Sequence, residues 1–226
     1  MRKYAVIVAG GSGSRMGGGI PKQFRSLCGR PVLWWSMKAF KEEDPSTRLV
    51  LVLPQEFISL WKDFFSTLPE TERFEHQIAQ GGKTRGESVQ NGLSLVDDNS
   101  YVAVHDGARP LIASSTISLG WEKVKETDAV IPAVPVTDSL RYLKNSDESE
   151  SVDRDKFVAV QTPQMFNSSL LKDAYKKAGD KVFTDDAAVM ENAGHHIALY
   201  LGSYDNIKIT NPKDLAIAAV LMGKDA

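Results

Sequence analysis

Val8-Ala9-Gly10-Gly11-Ser12-Gly13-Ser14-Arg15-Met16-Gly17-Gly18-Gly19-Ile20-Pro21-Lys22-Gln23 is the stretch that decides how the rest of the chain is read. It continues an apolar run, Tyr4 to Ala9, which reads as a buried strand opening an α/β domain. Glycines let a backbone turn tightly and bring its N–H groups against a ligand. Arg15 and Lys22 add two cations, and Pro21 stiffens the chain just before the lysine. Amide-rich backbone carrying Arg and Lys after a first strand is suited to a polyphosphate. Two better-known phosphate loops are excluded. The dinucleotide fingerprint requires G-x-G-x-x-G, whereas this loop runs Gly11-x-Gly13-x-x-x-Gly17. The P-loop requires G-K-[ST], whereas Lys22 stands between Pro21 and Gln23.

Outward from that loop, apolar runs alternate with helical patterns. Leu49 to Leu53, Ile78 to Gln80, Tyr101 to Val104, Ala129 to Val134 and Ile197 to Leu201 read as strands. Leu33 to Lys41, Phe57 to Leu68, Ser88 to Val96, Ile117 to Glu126 and Ser169 to Ala178 read as helices. The alternation predicts an α/β fold: a Rossmann-like, mostly parallel sheet with helices on both faces. Thr84-Arg85-Gly86-Glu87 has capping-box spacing, and Asn211-Pro212 opens a helix over Lys213 to Met222. Asn192-Ala193-Gly194 reads as a helix stop.

Thr137 to Phe157 breaks the rhythm. A strand-like piece, Ser139 to Leu143, is followed by the polar run Asn145 to Ser151 and then Val152 to Phe157. This predicts a projecting hairpin with a charged tip, an arm at about 137–157 that embraces a partner subunit. There is no internal repeat and no linker, so residues 1–226 are expected to form one domain with that arm.

Composition narrows the function classes. A net charge of −2 argues against nucleic acid as the main partner. No apolar run approaches the ~18–20 residues of a membrane span, and no signal-peptide pattern is present, so a cytoplasmic protein is expected. The single cysteine, Cys28, cannot form an internal disulfide and reads as an inert packed thiol.

In α/β sheets, ligands gather at the carboxyl ends of the strands. His105-Asp106-Gly107-Ala108-Arg109-Pro110, Pro135-Val136-Thr137-Asp138-Ser139 and Gln161-Thr162-Pro163-Gln164 stand at or near such ends. Asn206-Ile207-Lys208-Ile209-Thr210 reads as a short strand with an inward lysine. Taken singly, Asp106 with Arg109 suits a surface ion pair, Lys208 a solvated charge, and Thr162-Pro163 an ordinary turn. Together, Arg15, Lys22, Arg109 and Lys208 around Asp106 favour a phosphate site. Gly81-Gly82-Lys83-Thr84-Arg85-Gly86-Glu87-Ser88 combines close backbone approach with a hydroxyl that could read a base edge, beside its capping role. Metal and triad readings fare poorly. His195-His196 would face opposite ways on a strand, the four histidines lack zinc spacing, and no G-x-S-x-G occurs. Asp106 is the best candidate for contact with Mg²⁺ or its water shell, because a triphosphate supplies most of that metal's oxygens.

The ordered set Ala9 to Gln23, Gly81 to Gly92, Val104 to Pro110, Pro135 to Leu140, Gln161 to Phe166, Thr184-Asp185-Asp186-Ala187 and Asn206 to Leu215 covers nearly the whole chain. It resembles the 2-C-methyl-D-erythritol 4-phosphate cytidylyltransferases, a family of sugar-phosphate cytidylyltransferases. The resemblance implies transfer of CMP from CTP to 2-C-methyl-D-erythritol 4-phosphate, with Mg²⁺ as cofactor, giving 4-diphosphocytidyl-2-C-methyl-D-erythritol and pyrophosphate in non-mevalonate isoprenoid precursor synthesis. It implies a homodimer formed through the arm. It further implies that Arg15 and Lys22 stabilise the transition state, and that Arg154, from the neighbouring subunit, and Lys208 position the acceptor phosphate. Substrate contacts would fall on Ala9, Gly10, Gly11, Ser12, Gly13, Gly82, Ser88, Asp106, Arg109, Thr137, Thr162 and Thr184. Gly10 and Gly107 stand where the family often carries alanine, and Ser12 where it carries a larger residue. Two rival readings remain: a ribitol 5-phosphate cytidylyltransferase, and a nucleotide-binding regulator without turnover.

Overall fold

The computed structural model describes residues 1–10 and 21–223. Its centre is four parallel strands: β1 (Lys3–Val8), β4 (Arg48–Leu53), β5 (His76–Gln80) and β6 (Tyr101–Asp106). β1 lies between β4 and β6, with Val6 opposite both Val50 and Val104. β5 extends the sheet beyond β4. The short pair β2 (Ser26–Leu27) and β3 (Arg30–Pro31) makes a separate hairpin, with half-buried Cys28 at its turn.

Strand side chains alternate between faces, so each strand feeds two cores. Ala5, Ile7, Leu49 and Leu51 pack on one face with Leu33, Met37 and Phe40 of α1 (Val32–Glu43), Trp61 of α2 (Gln55–Thr67) and Trp121 of α4 (Ser114–Thr127). Tyr4, Val6, Val50 and Val102 pack on the other with Val89 of α3 (Arg85–Leu93) and Leu171 of α5 (Ser168–Ala178). Burial on both faces explains why the strands read as continuous Val, Ile and Leu runs.

The second half adds β7 (Ala129–Pro135), β10 (Val158–Val160), β11 (Gln164–Asn167) and β12 (Ala198–Leu201). β11 runs antiparallel between β6 and β7, while β12 pairs parallel with β7. The predicted mostly parallel sheet with helices on both faces is therefore the observed one. β10 and β11 lie outside the strands expected from sequence, and α6 (Asp186–Asn192) is marked there only by its stop at Asn192-Ala193-Gly194, because none is long enough to show a period.

Both expected caps form, one of them as a complete box. Asn211 and Asp214 form a complete capping box on α7 (Pro212–Leu221). The Thr84 hydroxyl accepts from the Glu87 N–H at 3.1 Å, but the Glu87 carboxylate accepts from Lys83 N–H rather than closing the box on Thr84. α3 consequently begins at Arg85, three residues before the expected start at Ser88.

Two expectations need correction. The arm is a hairpin, but its strands are β8 (Arg141–Leu143) and β9 (Ser149–Ser151), the second drawn from the polar run. The Asn145 side chain accepts from the Asp147 and Glu148 N–H groups, both at 2.9 Å, and so turns the chain early. The expected return, Val152 to Phe157, instead carries one 3₁₀ turn over Arg154–Lys156. Asn206 to Thr210 is not a strand. Ile209 N–H reaches the Ala108 carbonyl at 2.8 Å and Asn206 is tied by its side chain, so no ladder forms. His195 and His196 precede β12, in keeping with a strand expected from Ile197.

Candidate active site

The carboxyl ends of β1 and β6, the turn before α3 and the 206–210 segment enclose a cleft of about 420 Å³. Ala9, Gly10, Lys22, Gly82, Ser88, Asp106 and Lys208 line it, seven of the residues expected from sequence. Val8, Gln23, Lys83, Thr84, Arg85 and Ala108 line it as well. Gln23 is buried and donates from Nε2 to the Ala9 carbonyl at 2.7 Å, so the chain beyond the proline is pinned to the end of β1.

Asp106 is the one carboxylate among the described lining residues, and Lys208 Nζ lies 2.9 Å from its Oδ2. Arg109 Nε stands behind at 3.5 Å from the same oxygen. Burial opposes ionisation of Asp106, but Lys208, Arg85 and Arg109 outweigh it and hold the carboxyl down at about 2. Lys22, Lys83, Arg85 and Lys208 line the cleft with this single anion, so the described cleft is a cationic surface for a strongly anionic ligand.

Beside the cations is a polar turn built for backbone approach. A Cβ at Gly82 would come within 2.3 Å of Glu87 Cβ, so only glycine fits there. The Gly82 N–H donates to Ser88 Oγ at 3.0 Å, and Ser88 gives its proton to the Thr84 carbonyl at 2.9 Å. Toward the cleft Ser88 therefore presents only an acceptor. A Cβ at Gly10 would stand 3.0 Å from the same oxygen, and one at Gly107 would press Leu33 at 2.9 Å. Glycine at these two positions relieves both contacts.

The sequence offers Arg85 only as a member of the Gly81-to-Ser88 turn and its cap. Its guanidinium donates to Asp186 Oδ2 at 2.6 Å, and the Tyr175 hydroxyl donates to Oδ1 at 2.5 Å. Although burial disfavours the Arg85 charge, Asp186 keeps it firmly protonated. Gln164 receives the Asp186 and Ala187 N–H groups, both at 3.0 Å, and donates to Asp185 at 2.8 Å. The Thr184-to-Ala187 motif thus anchors the Gly82-to-Ser88 turn to β11. A buried carboxylate 101 residues away is not visible as a partner in sequence.

Other expected residues stand apart from the cleft. Thr162 is buried behind it and accepts the Asp106 N–H on Oγ1 at 3.1 Å. Thr184 and Thr137 are exposed. Arg154 lies on the arm, where its guanidinium donates to the Thr137 carbonyl at 2.6 Å. Gly11, Ser12, Gly13 and Arg15 lie outside the described residues.

The sequence model of the 2-C-methyl-D-erythritol 4-phosphate cytidylyltransferases matches residues 4–224. The chain belongs to this family. A 2-C-methyl-D-erythritol 4-phosphate cytidylyltransferase of Phocaeicola vulgatus is 45% identical over 98% of this chain and 100% of its own length. That of Porphyromonas gingivalis is 42% identical over 98% of each. The solved 4-diphosphocytidyl-2C-methyl-D-erythritol synthase of Anaerococcus prevotii superposes with a TM-score of 0.83 at 25% identity, covering 99% of both chains. The Thermus thermophilus cytidylyltransferase gives 0.78 at 28% identity over 98% of both. The chain is a cytidylyltransferase, and membership of this family sets aside both the ribitol 5-phosphate reading and the non-catalytic one. Among the described residues no helix is long and apolar enough to cross a membrane.

Proposed function

We propose that the cleft holds CTP beside 2-C-methyl-D-erythritol 4-phosphate and transfers CMP to the latter's phosphate, giving 4-diphosphocytidyl-2-C-methyl-D-erythritol and pyrophosphate in non-mevalonate isoprenoid precursor synthesis. The observation that carries this reading is the union, in one cleft, of a base-reading turn at Gly82 and Ser88 with the cations Lys22 and Lys208.

Ser88, acceptor-only toward the cleft, matches the N4 amino group of cytosine and repels the O4 of uracil. The nucleophile is an oxygen of the acceptor phosphate. A phosphomonoester has a second pKa near ~6, so it is largely dianionic at neutral pH and needs no general base. A new P–O bond forms at the α-phosphorus as the bond to the bridging oxygen of pyrophosphate breaks. The barrier lies in bringing anions together, so positioning and charge neutralisation carry catalysis. Lys22, together with Arg15, would offset charge on the α-phosphate and the departing pyrophosphate. Lys208, fixed by Asp106, would hold the attacking phosphate in line. Arg109 supports Asp106 from behind, and Thr162 supports its backbone.

Mg²⁺ fits this donor set in one manner. No cluster of three or more acidic, histidine or cysteine side chains exists among the described residues, and Asp106 is the one carboxylate among the described lining residues. That carboxylate is ionised at neutral pH and suits a cation held mainly by triphosphate oxygens. Bound so, Mg²⁺ would neutralise phosphate charge.

The arm supports a homodimer. Tyr142 and Leu143 are 61% and 70% exposed, and Phe157, Val158 and Val160 are exposed nearby in sequence. An unpaired hairpin with apolar side chains calls for a second copy of the chain as cover. In such a dimer Arg154, with Thr137 at the arm's base, would reach the neighbour's acceptor phosphate, near Thr184. The unpaired thiol of Cys28 is compatible with a reducing cytoplasm.

Pyrophosphate release from CTP, with 2-C-methyl-D-erythritol 4-phosphate and ribitol 5-phosphate assayed in parallel, tests the reading. Turnover with the first and not the second is expected. Turnover with ribitol 5-phosphate alone would reject it.

A further inference from the structure

We propose that His105 is a positioning residue for the acceptor phosphate, acting through a closed ring of hydrogen bonds that joins it to Arg109, Asn206 and Thr162 and fixes Asp106 and Lys208 at the cleft wall. The inference rests on the reaction proposed above and assigns how Lys208 is held for it.

The ring closes in four bonds. His105 Nε2 lies 3.1 Å from the Arg109 carbonyl. The Arg109 guanidinium donates to the Asn206 carbonyl at 2.7 Å. Asn206 Nδ2 donates to the Thr162 carbonyl at 2.9 Å. Thr162 Oγ1 lies 3.1 Å from His105 Nδ1. A carbonyl can only accept, so the imidazole proton is on Nε2. Nδ1 is then an acceptor, and the Thr162 hydroxyl donates to it. The same hydroxyl oxygen accepts the Asp106 N–H, so both of its roles are filled.

Three of the four members are buried, His105 and Asn206 at 0% and Thr162 at 5% exposure, and the Arg109 side chain is 12% exposed. The groups facing the imidazole are Asp106, Arg109, Thr162 and the ring of Phe40, whose centroid is 5.4 Å away edge-on. Burial keeps the imidazole neutral against the pull of Asp106. A second proton would set an N–H against the hydroxyl hydrogen of Thr162 and force that hydroxyl to turn.

What the ring holds is the Asp106–Lys208 pair. Asp106 follows His105 on β6 and is tied by its own N–H to Thr162. Lys208 lies between two anchors: Asn206, a ring member, and Ile209, whose N–H reaches the Ala108 carbonyl at 2.8 Å. His105 and Asn206 do not line the cleft, so their influence must pass through Lys208 and Asp106. The base-side turn shares none of these bonds. Loss of the ring should therefore affect the acceptor far more than CTP, most of whose metal ligands are its own phosphates.

The test compares Thr162→Val, Thr162→Ser and His105→Phe in the full-length protein. Thr162→Val should raise KM for 2-C-methyl-D-erythritol 4-phosphate about tenfold, the scale of one lost buried hydrogen bond, with KM for CTP within about twofold. Thr162→Ser should restore the original value. The His105→Phe/Thr162→Val double variant should be no worse than the poorer single one, because both break one ring. If His105→Phe does not fold, the threonine pair alone decides. Imidazole ¹⁵N shifts give a readout independent of turnover: His105 should show the Nε2–H form, altered in Thr162→Val. Unchanged KM in Thr162→Val, an equal rise for both substrates, or additive losses would overturn the proposal. An unmodified protein that shows this tautomer but no turnover would reject the reaction, and with it the acceptor role.

Discussion

Lys208 Nζ stands 2.9 Å from Asp106 Oδ2, which joins the segment before α7 to the end of β6 by charge rather than by sheet pairing. Asp106 is 12% exposed at its side chain and Lys208 is 42% exposed, so the lysine is anchored at one side and open to the cleft on the other. This is the geometry of a cation that is oriented without being used up. Lys208→Met should lower kcat/KM for 2-C-methyl-D-erythritol 4-phosphate by about 100-fold while leaving CTP affinity within a few-fold. It should also raise the pKa of the Asp106 carboxyl, since Lys208 is the largest influence holding it down. Steady-state kinetics with each substrate varied, and a carboxyl titration by NMR, check both effects.

Lys22 lies in the cleft beside the end of β1, and Arg15 precedes it by seven positions on the glycine-rich stretch. Lys22→Ala and Arg15→Ala should each lower kcat by roughly 100-fold or more, as removal of an oxyanion donor does. A variant that keeps near-full kcat would show that its residue is not a transition-state cation.

Much of this was legible before the fold was known, for a physical reason. Parallel strands buried on both faces need long Val, Ile and Leu runs, and Tyr4 to Ala9 and Leu49 to Leu53 announce themselves. Asp106 could be placed at a strand end for the same reason. The ring through His105 and the Arg85–Asp186 pair could not, because both depend on which distant segments meet, and no local period records that. Asn206 to Thr210 misled because its alternating apolar residues imitate a strand, although its bonds run to side chains and to Ala108. The arm's return strand misled in the opposite way: Ser149-Glu150-Ser151 is polar because neither face is buried within one chain.

Base selection should follow from the proton on Ser88. Since that proton goes to the Thr84 carbonyl, the hydroxyl offers the base only a lone pair. The protein should prefer CTP to UTP by at least tenfold in kcat/KM, about 1.4 kcal/mol. Ser88→Ala removes the acceptor and should narrow that ratio. Comparable efficiency with UTP in the unmodified protein would remove Ser88 from base selection.

Two histidines should make stability fall in mild acid. His76 Nε2 accepts from Trp61 Nε1–H at 2.8 Å, and its Nδ1 faces the Phe74 carbonyl at 3.1 Å, so the folded ring is neutral. Burial lowers its pKa from 6.5, and burial lowers that of His105 from 6.5 to about 4. A histidine with a depressed folded pKa binds its proton more tightly when unfolded. Its contribution is therefore complete above about pH 6.5 and is lost as pH falls toward the folded value. For His105 the full loss is on the order of 3 kcal/mol, with about 2 kcal/mol of it gone by pH 5. Urea unfolding between pH 7.5 and 5 should show this decline, and His76→Gln should flatten part of it. A stability unchanged across that interval would refute the assignment.

The arm carries the last prediction, in which assembly and catalysis are one question. Arg154 follows a hairpin whose Tyr142 and Leu143 are uncovered, and its guanidinium donates to the Thr137 carbonyl at the arm's own base. A twofold dimer would cover the apolar residues and carry Arg154 to the neighbour's acceptor phosphate, making each site composite. Arg154→Ala should then bind CTP almost normally and the alcohol phosphate poorly. Lys22→Ala fails for a different reason, within its own cleft. Mixed together, the two inactive variants form a heterodimer in which one cleft keeps its own Lys22 and receives an intact Arg154 from the other subunit. Up to a quarter of the original activity should return, since half the dimers are mixed and half of their clefts are whole. Sedimentation establishes the dimer and the exchange of subunits. A monomeric protein, or no recovery after proven exchange, would rule out the shared site, because an Arg154 acting within its own chain cannot be supplied by a partner.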